Sequence, residues 1–175
     1  MNYIFLQDGF EEIEALTTVD LLRRAEIDIK MVSLMPDLQV IGAHVIEVKA
    51  DIMFKDTDFS DAEMLILPGG VTRLHRHEGL CNLLIKHNKA NKPIAAICMA
   101  PSVLGRLDLL KGKQATCYPG FEKFLGESYV GGLVVESQNL ITAKGPGLSA
   151  DFAFSIIEKL KGAEVADKVY DAAQY

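Results

Sequence analysis

Two short runs of unbroken hydrocarbon constrain this chain more than any other feature. Met64-Leu65-Ile66-Leu67 ends in Pro68-Gly69-Gly70, and Ile94-Ala95-Ala96-Ile97 ends in Cys98. Neither run alternates with polar residues, so neither suits a strand with one wet face. Continuous apolarity fits central parallel strands covered on both sides. Parallel strands need crossover helices, and the segments between the runs supply them.

The rest of the chain keeps that alternation. Tyr3–Leu6, bounded by Asp8-Gly9, reads as a buried first strand. Glu11 to Ala25 carries Ile13, Leu16, Val19 and Leu22 at helical spacing, with acids in the first turn and Arg23-Arg24 in the last, as the helix dipole favours. Asp28–Leu34 is a second strand, and Leu38 to Val48, broken at Gly42-Ala43, is a hairpin or a bulged strand. Leu74–Asn88 and Pro101–Leu110 are read as helices, Ala115–Cys117 as a strand stub. Leu133–Val135 and Leu140–Thr142 are strands, and Gly145-Pro146-Gly147 opens a helix over Ser149–Leu160 that buries Phe152, Phe154, Ile156 and Ile157. A last helix spans Ala163–Ala173. No repeat or linker divides residues 1–175, so one domain is expected.

The totals exclude several classes. A net charge of −6, with no basic run longer than Arg23-Arg24, argues against nucleic acid and anionic membranes as partners. The three cysteines, Cys81, Cys98 and Cys117, form no C-x-x-C pair, so neither a disulfide framework nor a metal site is expected. No G-x-G-x-x-G and no G-K-[ST] loop occurs, so no nucleotide cofactor is expected. The first residues lack a basic start and a long apolar run, which points to the cytoplasm.

The chemistry concentrates at Cys98. It stands where an apolar strand turns into a helix, with the small residues Ala96 and Ala100 two positions to either side. That is the demand of a nucleophile elbow, where crowding forbids large neighbours. A thiol facing a helix start should have its pKa lowered. Glu11 and Glu12 read as charges that favour the helix start. Glu14 falls past the first turn, where it would be buried; beside a thiolate it would hold its proton. Gly69-Gly70 and Met99 would bring backbone N–H groups to a developing oxyanion. Cys117 and Tyr118 are placed near the same pocket, Cys81 in an amphipathic helix. His75, His77 and His87 read as surface residues.

Four motifs in order resemble the ThiJ/PfpI superfamily, most closely its DJ-1-like branch. They are Asp8-Gly9-Phe10-Glu11-Glu12-Ile13-Glu14, Leu67-Pro68-Gly69-Gly70, Ala95-Ala96-Ile97-Cys98-Met99-Ala100-Pro101, and Gly145-Pro146-Gly147 with the helix Asp151–Leu160. The resemblance covers nearly the whole chain. It implies a flavodoxin-like three-layer α/β/α sandwich with a mostly parallel sheet. It makes Cys98 an oxidation-sensitive nucleophile, Glu14 its protonated partner and Gly70 a backbone donor near the sulfur. It further implies a homodimer with the first helix at the interface, and His44 reaching toward the partner's site; a solvent-facing hairpin histidine is the other reading of His44. The activities implied are glyoxalase or deglycase chemistry on small electrophilic dicarbonyls, chaperone action, and redox sensing through a sulfinate. Two departures stand out. Peptidase-type and amidotransferase relatives carry a histidine that serves the cysteine; in the peptidase type its place is Met99 here, and in other members it is Tyr118. A cysteine hydrolase would then lack a proton carrier for the leaving group. A non-catalytic dimeric binding module is the remaining alternative.

Overall fold

The structure is a computed structural model and describes residues 1–71 and 73–175. Its centre is a seven-stranded sheet. In chain order the elements are β1 (Asn2–Leu6), α1 (Glu12–Arg24), β2 (Ile29–Ser33), β3 (Gln39–Ile41), β4 (Glu47–Lys49), β5 (Ile52–Met53) and β6 (Met64–Leu67). Then come α2 (Glu78–Lys89), β7 (Ile94–Ile97), α3 (Pro101–Arg106), β8 (Val134–Ser137), β9 (Leu140–Ala143), α4 (Ser149–Lys161) and α5 (Ala163–Ala173). The sheet order is β5-β2-β1-β6-β7-β9-β8. All neighbours are parallel except β8 and β9 at one edge. This is the flavodoxin-like sandwich.

The two apolar runs occupy the middle, as neighbours. Every residue of β6 and β7 is buried, and Leu65, Ile66 and Leu67 pair with Ile94, Ala95 and Ala96. One face is covered by α1, α4 and α5 through residues such as Leu22, Phe152 and Ile156. The other is covered by α2 and α3 through Leu80, Leu84 and Leu104. The carboxyl ends of β1, β6 and β7 therefore open at one rim, where parallel sheets place their ligands.

Several expectations need correction. The helix read over Leu74–Asn88 is two pieces, a 3-10 turn at Leu74–Arg76 and then α2. His77 separates them because its ring accepts the Leu80 N–H at 3.0 Å and caps α2. The helix read to Leu110 stops at Arg106, and Asp108 takes a left-handed φ of 56° just beyond. The stub at Ala115–Cys117 is a single bridge from Ala115 to Tyr129, because the Thr116 N–H goes to the Thr142 side chain instead. Strand β5 escaped notice, being two residues long. Phe154 is only half-buried and packs its ring near Tyr170 and Tyr175. Ile13 faces out while Glu12 is buried, because the hairpin of β3 and β4 folds over the first turn of α1.

Candidate active site

The site begins with a strained bend. Cys98 has φ +65°, the left-handed region that non-glycine residues rarely enter. Holding it there costs on the order of 1–3 kcal/mol. Backbone hydrogen bonds over-determine the bend: Cys98 N–H donates to the Ala143 carbonyl, and Tyr118 N–H donates to the Cys98 carbonyl, each at 2.8 Å. Ala100 N–H also closes the turn onto the Ile97 carbonyl at 3.0 Å. Ala96 and Ala100 are buried around it, so larger side chains would have no room.

Glu14 comes to the same point from α1 and is fully buried. Its Oε2 accepts the Gly69 N–H at 2.7 Å, and its carboxyl lies close enough to the Cys98 thiol for each group to shift the titration of the other. Gly69 lies between them. A Cβ there would stand 2.7 Å from Cys98 Cβ and 2.8 Å from Glu14 Oε2, closer than atoms pack. Only glycine lets the carboxyl and the sulfur share this space. Glu14 Oε1 has no hydrogen-bond partner among the described residues. An under-satisfied buried carboxylate is costly, so the neutral form gains.

The titration follows. Burial, helped by the nearby charge of Glu11, pushes the Glu14 carboxyl up to about 7, against the Gly69 N–H and the thiol, which favour the anion. Burial also pushes the Cys98 thiol up, and the Glu14 charge adds to it; the N–H groups of Met99 and Gly70 pull the other way. The expectation of a thiol simply lowered by a helix start is thus corrected. The helix is short, and burial beside an acid outweighs its dipole. The upward push from Glu14 lasts only while Glu14 is ionised. When the carboxyl keeps its proton it becomes a donor to sulfur, so the two groups titrate as a pair.

The other named residues separate. Gly70 and Met99 flank the sulfur with their backbone N–H groups. Tyr118 is tied to Cys98 by backbone, while its half-exposed ring covers Gly145. Cys117 does not join the pocket. It is buried in the apolar layer on the opposite face of the sheet, and burial pushes its thiol up to about 11. Cys81 is buried in α2. His44 lies in the hairpin turn, its ring 2.8 Å from Glu12 Oε2, its backbone N–H on Oε1. Burial works against the Glu12 anion, but the bonds from His44 win and hold its carboxyl low; the Glu12 bond and the Glu11 charge raise the imidazole. Glu11, Glu12 and His44 are the one grouping with metal-ligand chemistry among the described residues. Here the His44 ring already takes one oxygen of Glu12.

Besides His77, which caps α2, two histidines depart from their surface reading. His87 is buried, its ring 3.0 Å from the Pro93 carbonyl. His75 is half-buried and lines a cleft next to Gly70 and Met99, with Arg73 and Arg106. Sequence offered no signal for that cleft, because its walls come from a 3-10 turn and a helix far apart in the chain.

The Glu14 shift carries a stability consequence. Its ordinary pKa is 4.5 and its folded value about 7, so the folded state keeps the proton longer than the unfolded chain. Stability should fall as pH rises through that window and level off above it, by up to roughly 3 kcal/mol. Urea denaturation of wild type and Glu14→Gln across the window should show the variant gaining on wild type with rising pH. Parallel curves would mean that the carboxyl is not held near 7.

Comparison with known proteins places this geometry among relatives. The model of the DJ-1/PfpI family matches residues 2–159. Protein DJ-1 homolog B of Arabidopsis thaliana is 35% identical over 91% of this chain, which spans only 37% of that longer protein. Protein dj-1beta of Drosophila melanogaster is 32% identical, over 95% of this chain and 92% of its own. Among solved structures, oxidized Toxoplasma gondii DJ-1 superposes with a TM-score of 0.95 at 30% identity, covering 99% of this chain and 97% of that one. With its elbow cysteine, its buried glutamate and a match along nearly its whole length, the chain belongs to the DJ-1/PfpI family.

Proposed function

We propose that this protein is a cysteine–carboxyl enzyme of dicarbonyl stress that converts small 2-oxoaldehydes to 2-hydroxy acids. One observation carries the reading: a thiol and a carboxyl, both buried and on either side of Gly69, share a titration, and one carboxyl oxygen has no partner among the described residues. In the reactive form sulfur is the anion and Glu14 holds the proton. The sulfur lone pair forms a C–S bond to the aldehyde carbon, and the carbonyl π pair moves to oxygen. The N–H groups of Gly70 and Met99 stabilise that oxygen, and the Glu14 proton neutralises it. Ionised Glu14 then takes the proton from the former aldehyde carbon, and the electron pair left behind moves through a new C=C bond onto the ketone oxygen as an enediolate. Glu14 returns that proton to the neighbouring carbon while the hydroxyl proton of the first carbon passes to the second oxygen, leaving a thioester of the 2-hydroxy acid. Water hydrolyses the thioester and restores the thiol. The sum is one water added to one 2-oxoaldehyde, with no external oxidant.

A peptidase reading is weaker. Met99 and Tyr118 stand where a serving histidine would, and His44 is committed to Glu12. A redox-sensing role has a specific observation in its favour. Cys98 is the thiol with a buried carboxyl beside it, and the proton of that carboxyl would bond a sulfinate oxygen. Each of two peroxides would give one oxygen to sulfur and leave as water.

A homodimer fits the same reading. Val45, at the hairpin tip, is 80% exposed and has φ +63°, a costly state for a β-branched residue in water. Ile13 and Ile46 are also exposed. A partner covering these side chains would offset the cost. Any part His44 plays at the partner's site would be that of a ring already bonded to Glu12.

Three measurements test these statements. Lactate formation from methylglyoxal should vanish in Cys98→Ser and fall by about 10²–10⁴-fold in Glu14→Gln; turnover retained in both would end the enzymatic reading. Mild peroxide should add two oxygens to Cys98 and spare Cys81 and Cys117, as read by peptide mass; equal oxidation of all three would remove the sensing role. Analytical ultracentrifugation should find a dimer that Val45→Asp dissociates, and a monomeric wild type would refute the interface.

A further inference from the structure

The cleft beside Cys98 has a charge that the proposed reaction does not use. It encloses about 190 Å³, and Gly70 and Met99, whose N–H groups face the sulfur, form part of its wall. Arg73, His75 and Arg106 form more of it. The guanidinium of Arg106 is fixed over the Phe124 ring, 3.8 Å from its centroid. Stacking of that kind pre-organises the donor fork.

Among the described residues these arginines have no carboxylate partner. Arg23 and Arg24 pair with Asp51 and Asp20. No ion pair among the described residues involves Arg73, Arg76 or Arg106. Burial, then the charges of Arg106, Arg76 and Arg73, push His75 down, as a positive field around its ring would. A chain of net charge −6 thus keeps a local cationic cleft next to its elbow thiol. Cations left without anions around a cavity are the chemistry of an oxyanion receptor.

We propose that Arg73 and Arg106 bind the carboxylate or phosphate of the electrophilic substrate, so that the preferred electrophile is an anionic carbonyl compound with its carbonyl at Cys98. The inference rests on Cys98 being the nucleophile of the proposed function and adds the charge class of its substrate. Arg73 and Arg106 touch the non-reacting end and set specificity. Ser102, also in the wall, gives its hydroxyl to the Met99 carbonyl at 2.7 Å and braces the segment that presents the Met99 N–H.

The test uses two alkylating reagents of nearly the same shape. Iodoacetate carries a carboxylate and iodoacetamide does not. With either, sulfur bonds to the CH₂ carbon as iodide leaves with its bonding pair. The rate at Cys98, followed by peptide mass, gives a ratio of iodoacetate to iodoacetamide that reports the charge felt beside the sulfur. In Arg73→Gln/Arg106→Gln that ratio should fall by about tenfold relative to wild type, from the loss of screened attraction. Lys161→Gln, at the end of α4, should leave it unchanged.

Acetate and inorganic phosphate, added as competitors, should slow iodoacetate in wild type and not in the double variant. Stronger protection by acetate assigns a carboxylate, stronger protection by phosphate a phosphate. A ratio that is the same in wild type and double variant, or protection by neither anion, would overturn the proposal. The ratio does not depend on dicarbonyl chemistry. A tenfold fall without methylglyoxal turnover would retire the reaction and keep the subsite.

Discussion

The contact between Cys98 and Glu14 across Gly69 is the constraint around which the rim of the sheet is arranged. It joins three separate segments of the chain. β7 ends in the bend that lifts the sulfur, α1 delivers the carboxyl, and the turn after β6 supplies the one residue thin enough to separate them. Because β6 lies between β1 and β7 in the sheet, its turn must be where the other two elements converge. A methyl group at position 69 would push sulfur and carboxyl apart, so the wedge glycine is as necessary as the groups it separates. The packing accepts an under-satisfied carboxyl oxygen and a non-glycine residue at positive φ. Both are destabilising features, and both sit within one cluster, as expected where a fold spends stability on a reactive group.

That cluster also explains why a shifted thiol pKa is a poor label for reactivity here. Burial raises both groups, and neither titrates alone. What matters is the position of the shared proton. With the proton on sulfur the site is inert and Glu14 is an anion in hydrocarbon. With the proton on Glu14 the sulfur is a nucleophile bonded to a donor, next to the N–H groups of Gly70 and Met99. The two arrangements have the same net charge, so the field of the protein as a whole scarcely distinguishes them. Local hydrogen bonds decide.

Most of the fold was legible because it rests on hydrocarbon patterning. Uninterrupted runs named β6 and β7, helical spacing named α1 and α4, and the small residues around Cys98 named the elbow. What escaped was set by contacts between distant segments. His77 splits a continuous helical pattern because its ring caps α2. Glu12 is buried, and Ile13 exposed, because the hairpin folds over α1 and offers His44 as a partner. Cys117 and Tyr118 are adjacent in sequence, yet one is buried in the core and the other stands exposed over Gly145, and only the register of the loop decides which. The thiol shift had its sign reversed because a dipole is visible in sequence and a desolvation shell is not.

The arginine cleft belongs to the same class of hidden feature. Read along the chain, Arg73, Arg76 and Arg106 are scattered charges in an acidic protein, and scattered charges mean solubility. In three dimensions a 3-10 turn and the end of α3 place Arg73 and Arg106 on one cavity, with Phe124 stacking beneath Arg106. Net charge and local charge then have opposite signs. The acidic exterior repels anions in general, while the cleft attracts one that comes close to the sulfur. Discrimination of that sort needs no new catalytic group. It follows from leaving two cations unpaired beside a nucleophile whose own machinery, Glu14 and the N–H groups of Gly70 and Met99, is indifferent to what the far end of the electrophile carries.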